Sequence, residues 1–128
     1  MALSGWLGLE EINYNQSGWH SIFNADVQKI NNWSKKRTAT ATNYTATSQD
    51  WIIGITDTSA PRTITLPPAS GLTGKQVVIK DESGAAATNN ITVDGDAAET
   101  IDGAATAVIS SNYGVLRLYC DGSNWFTW

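Results

Sequence analysis

A chain of 128 residues with a net charge of −4, 41% hydrophobic and 16% charged residues has the size and balance of one compact unit with an appendage. These figures exclude two full-sized domains and a disordered polymer, and no apolar run approaches the roughly 18 residues a membrane-spanning helix needs. One cysteine, Cys120, excludes an internal disulfide framework, so packing or association must supply the stability.

The opening segment, MALSGWLGLEE, has no basic start and meets Glu10 and Glu11 where a signal peptide needs apolar length, which predicts no cleaved export signal. Trp6, Leu7 and Leu9 form an apolar cluster without a period. Trp19, Ile22, Phe23, Val27, Ile30 and Trp33 then recur at the spacing of one helical face. Asp26 falls inside that face, where a bare carboxylate is costly to bury. A helix that begins after Asn24 eases the conflict: Asn24 is then the N-cap and Asp26 lies in the first turn, beside the positive end of the dipole. Trp19 and Phe23 fall on the entering loop. The predicted helix has about three turns and is marginal alone in water, so its apolar side needs a surface. Residues 1–37 therefore read as an attachment arm, with Trp6, Leu7, Leu9, Trp19, Phe23, Val27, Ile30 and Trp33 as the candidate partner-binding residues.

The arm carries four bases against three acids, and residues 38–128 carry four bases against nine acids. So acidic a body is poorly suited to tracking a phosphate backbone, and no nucleic-acid or membrane partner is expected. The triplet Lys35-Lys36-Arg37 reads as a solvated junction.

From Thr38 onward every signal is β. RTATATNYTAT alternates small residues, WIIGI and QVVIK are short apolar runs, and RTITL and NITVD place an aliphatic residue at every second position. TAVIS, GVLRLYC and NWFTW complete the set. PPASG, LTGK, ESGA, VDGD, IDGA and CDGSN supply the turns. The expected fold is all-β: a compact sandwich or barrel-like knob of about eight short strands over residues 38–128, preceded by the arm with its one short α-helix. The knob is thinly supplied with large side chains, since Ile, Leu, Val and Phe fill only 18 of these 91 positions. Association between copies is one remedy, and an open edge such as TATATNYTAT invites pairing.

No catalytic constellation is legible, and the protein reads as non-enzymatic. The single histidine, His20, lies in the arm, and Cys120 lies in a predicted strand, where it reads as a small buried hydrophobe. Asp94, Asp96, Glu99 and Asp102 could be taken for calcium ligands or a glycosidase pair, but their spacing is not that of an EF-hand and the Asp-Gly pairs read as hairpin turns. No metal or cofactor is predicted. Of the six tryptophans, Trp51 reads as part of an apolar strand, and Trp125 and Trp128 are expected on one side of the last strand, as core or subunit contact.

The stretch RTITLPPASGLTGKQVVIKDESGAAATNNITVDGDAAETIDGAATAVISSNYGVLRLYCDGSNWFTW resembles a module of tailed-phage virion proteins, found in tail-fibre and spike tips and in short capsid-surface knobs. Its carriers are ITLP, GKQVVIKDESG, ITVDGDAAETIDGA and the terminal DGSNWF, in that order, which look like successive hairpins and a closing strand. The leader SGWHSIFNADVQKINNW is similar to the attachment segment near the start of phage appendage proteins. The resemblance implies a homotrimer on the virion surface, made in the host cytoplasm and bound to the major capsid protein or another virion protein. SKKRTATATNYTAT is the whole connection between arm and knob, too short for a fibre shaft, which favours a capsid decoration or cement protein. The alternative is a tail-fibre or spike tip that recognises host surface glycans.

Overall fold

The computed structural model describes residues 24–29 and 37–128. The chain divides into two compact units, Met1–Lys36 and Arg37–Trp128. In the first, residues 24–29 are helical (α1). Asn24, expected as the cap, is itself helical; asparagine costs only a few tenths of a kcal/mol more than its neighbours there, so the boundary shifts easily. Asp26 is 8% exposed and pairs with Lys29 Nζ at 3.5 Å, an i,i+3 contact, while Val27 is 42% exposed. The carboxylate that looked costly to bury is thus buried and paired. The other candidate anchor residues, Trp6, Leu7, Leu9, Trp19, Phe23, Ile30 and Trp33, lie outside the described residues.

The second unit has nine strands: β1 (Arg37–Thr40), β2 (Tyr44–Thr45), β3 (Ile52–Ile55), β4 (Arg62–Thr65), β5 (Gln76–Asp81), β6 (Ile91–Asp94), β7 (Thr106–Ile109), β8 (Val115–Cys120) and β9 (Trp125–Thr127). They form a five-stranded sheet, β1-β3-β5-β8-β9, and a four-stranded sheet, β2-β4-β6-β7. The stretch read as one strand, TATATNYTAT, becomes two. Thr42 N–H donates to Thr40 Oγ1 at 3.2 Å, and Thr40 Oγ1 donates to Thr42 C=O at 3.0 Å, which bends the backbone and sends β1 and β2 to different sheets. Arg37, expected in the solvated junction, opens β1 and donates from Nε to Glu82 Oε1 at 2.9 Å.

The fold is compact and all-β in its second unit, as expected, but its connectivity is not a run of hairpins. Through β6 the chain changes sheet after every strand, so β1, β3 and β5 pair in parallel, and so do β2, β4 and β6. Parallel strands need a long crossover; here the strand in the opposite sheet is that crossover, and three strand pairs stack as turns of a flattened coil. Strands β7, β8 and β9 then return antiparallel against β6, β5 and β8. Of the expected hairpins, β6–β7 and β8–β9 form.

Alternation places the core. Val77 and Ile79 of β5, Ile91 and Val93 of β6, and Leu118 of β8 are fully buried, and residues of both sheets join one cluster. Trp125 is its largest member at 0% exposed, whereas Trp128 is 62% exposed. The shared side expected for these two indoles is therefore wrong: an offset of three on a strand puts side chains on opposite faces. Ala46, Ala69 and Ala86 fill the places where the loops press on the sheets.

Candidate interaction surface

The inward set of β8, Leu116, Leu118 and Cys120, fixes the outward set as Val115, Arg117 and Tyr119. Tyr113 lies in the turn before β8. Tyr113 is 61% exposed, Val115 43% and Tyr119 40%, so most of the conspicuous exposed hydrophobic side chains of the β unit follow one strand. Phe126 of β9 stacks on Tyr119 with ring centroids 5.5 Å apart and 26° between planes. The Arg117 guanidinium lies over the Trp128 ring, 5.7 Å from its centroid. Six residues of strand extend about 20 Å, so this is an aromatic stripe of that length with one guanidinium at its middle.

One end of the stripe is fixed by a buried carboxylate. Asp81, 0% exposed, accepts from Ser83 N–H, Ser83 Oγ and Gly84 N–H on one oxygen, and from Ala86 N–H and Tyr113 N–H on the other, all at 2.7–3.0 Å. It thereby ties the β5–β6 loop to the turn before β8. Burial pushes its carboxyl up, but the bonds from Ser83, Ala86, Tyr113 and Gly84 outweigh that and hold it below the usual carboxylate range. Tyr113 adopts φ 58°, a left-handed conformation that a bulky residue rarely takes. Its carbonyl accepts from Lys80 Nζ, and its ring occupies the space that a side chain at Gly84 would fill. The Tyr113 backbone is thus held at both its N–H and its C=O, and its ring lies against Gly84.

The opposite outer face is of another kind. Beside Ile64, Ile91, Val93 and Ile109, which turn inward, the four-stranded sheet presents Thr63 and Thr65, Thr92 and Asp94, and Thr106 and Val108. Thr65 stands opposite Asp94, and Asp94 opposite Thr106; Thr63, Thr92 and Val108 make the adjacent row. This face is flat, short-chained and bears a carboxylate.

Two carboxylates of the acidic run, Glu99 and Asp102, serve the fold. Glu99 accepts from Ala69 N–H at 2.9 Å, and Asp102 accepts from Thr127 N–H at 3.0 Å. Asp102 and Gly103 take φ 50° and 84°, with Ile101 and Ala104 exchanging backbone bonds at 2.7 and 3.0 Å, the two-residue turn that an Asp-Gly pair favours. Among the described residues no group of three His, Cys, Asp or Glu is placed to hold a metal ion. Cys120 is buried, its Sγ 3.4 Å from Ala69 C=O, and burial pushes the thiol up, away from thiolate chemistry. A depression of about 490 Å³ lined by Ala46, Thr47, Ser48, Pro67, Pro68, Ser70 and Leu72 holds no ionisable side chain.

Compared with known proteins, the chain matches no family model and no curated protein. Of the candidate anchor residues only Val27 is described, exposed on α1. Sequence reading missed the β8 stripe because both phases of YGVLRLYC are apolar or aromatic; what could have marked the outer phase is Arg117, the one charge in the run.

Proposed function

We propose that the chain is a non-enzymatic structural protein of a tailed-phage virion, a capsid decoration or cement protein that grips the shell with its first unit and displays a homotrimeric β knob. The observation that carries this reading is the division of labour along the chain. Arg37–Trp128 is a compact unit with its own core cluster, while its outer surface offers an aromatic stripe and no convergent reactive groups among the described residues. The tryptophan-rich segment 1–36 has the residue types that dominate binding hot spots. Three arms on one trimer would multiply attachment strength without any new contact.

Removal of residues 1–36 tests this. The remaining unit should stay soluble and trimeric and should no longer attach to particles assembled without the protein; attachment by the truncated unit would refute the anchor. A second reading, a tail tip that recognises host glycans, is favoured by the exposed Tyr113 and Trp128, since rigid aromatic faces suit sugar rings. A tail tip would be present in few copies per particle, a shell protein in many.

A further inference from the structure

We propose that the outer face of the five-stranded sheet binds an acidic saccharide, a pyranose ring stacked on Trp128 or Tyr119 with its carboxylate held by Arg117. The proposal deepens the second reading by naming its ligand class, and it rests on that reading's exposed aromatics but not on where the chain is mounted.

Charge selects the class. The strands of this sheet present three bases outward, Arg37, Lys80 and Arg117, and no acid, since their one carboxylate, Asp81, is buried. Glu82, just beyond β5, brings its carboxylate over Gly54 of β3, two strands or about 10 Å from β8. There it pairs with Arg37, and Lys80 attracts it as well. Asp121, in the turn after β8, accepts from Ser123 N–H and Asn124 N–H. Arg117 is exposed and, among the described residues, has the Trp128 ring but no hydrogen bond or ion pair. An unmatched guanidinium thus stands on the basic face of a chain whose net charge is −4. The acids elsewhere repel a long phosphodiester chain, while a face of this kind attracts a short or sparsely charged anion.

The aromatics select the ring. Trp128 is 62% exposed with the Arg117 guanidinium 5.7 Å from its centroid, and Tyr119, two residues along β8, stacks on Phe126. Flat aromatic faces suit the C–H side of a pyranose, and the planar guanidinium fork takes a carboxylate through two parallel hydrogen bonds. Arg117 has one such face beside it and another along the strand, so a sugar acid held by its carboxylate can lay its ring on either. An acidic peptide would satisfy the guanidinium and leave the rings without a partner.

The test is equilibrium binding of the full chain to immobilised polygalacturonate, hyaluronate and polysialate, with dextran as the uncharged control and polyglutamate and single-stranded DNA as acidic polymers of other classes. At least one of the three acidic polysaccharides should bind the chain more tightly than every control, and less tightly as salt rises. Arg117→Ala should lose about tenfold in affinity and Trp128→Ala about fivefold. Arg117→Lys should recover only part of the loss, because an ammonium keeps the charge but not the fork. Asp94→Asn, on the opposite outer face, should bind as the wild type does, and circular dichroism should report folded protein in every variant. No binding to any of the three polysaccharides, equal or tighter binding to a control, or undiminished binding by Arg117→Ala would overturn the proposal. Each of those results would leave the shell reading standing, since copy number in the particle decides it.

Discussion

Asp81 divides its two oxygens among five donors from two stretches of chain, and that is why a fully buried carboxylate can end a strand in a core this thin. Asp81→Ala would leave the N–H groups of Ser83, Gly84, Ala86 and Tyr113 without their acceptor, at a cost of about 3 kcal/mol, which a shift in the urea midpoint would measure. The same group gives stability a pH dependence. Its folded value lies below its unfolded one, so the stabilisation is complete above the unfolded value, near about 4, and is lost as pH falls through the folded value. Asp57, Glu82, Asp102 and Asp121 are lowered in the same direction. The urea midpoint should therefore drop steeply below about pH 5, and Asp81→Asn should show a shallower slope over that range. None of this was legible in VVIKDESG: the sequence shows an Asp before a turn, but not that the chain returns at Tyr113 to share it.

At the scale of strands, sequence periodicity located nearly every element. WIIGI, RTITL, QVVIK, NITVD, TAVIS, GVLRLYC and NWFTW each contain one strand. What periodicity could not give was the partner of each. Hairpin and coil connections use the same turn residues, and PPASGLTGK and ESGAAATNN read as turns whether the next strand lies alongside or across the core. The split of TATATNYTAT was hidden for a related reason, since Thr favours strands yet its hydroxyl can also bend them. Trp125 offers a test of the packing. It is fully buried and its Nε1 has no hydrogen-bond partner among the described residues. Trp125→Phe removes volume but also an unsatisfied donor, and should cost within about 1 kcal/mol, whereas Trp125→Ala should cost about 3–5 kcal/mol. Thermal denaturation of the two variants separates them, and a loss of about 2 kcal/mol or more in Trp125→Phe would mean the indole N–H is satisfied in solution.

At the scale of the whole molecule, the sequence indicated an adhesive segment joined to a β unit, and the structure adds the two unlike faces of that unit. The candidate anchor residues rest on helical spacing from Trp19 to Trp33 and on apolar character without a period for Trp6, Leu7 and Leu9; of them, Val27 is exposed on α1. The aromatic stripe on β8 is exposed on the β unit itself, so on the proposed reading that unit has a surface of its own beside the arm. Removal of residues 1–36 should therefore abolish attachment to particles and leave the β unit folded and associated, which sedimentation of the truncated unit would measure.

The most direct test of the account is the position and copy number of the chain in the intact virion, read from a reconstruction of the particle. The account predicts many copies in threefold clusters spread over the capsid shell, each joined to it through residues 1–36. A few copies confined to the tail, or contact with the shell made by the β8 face, would contradict it.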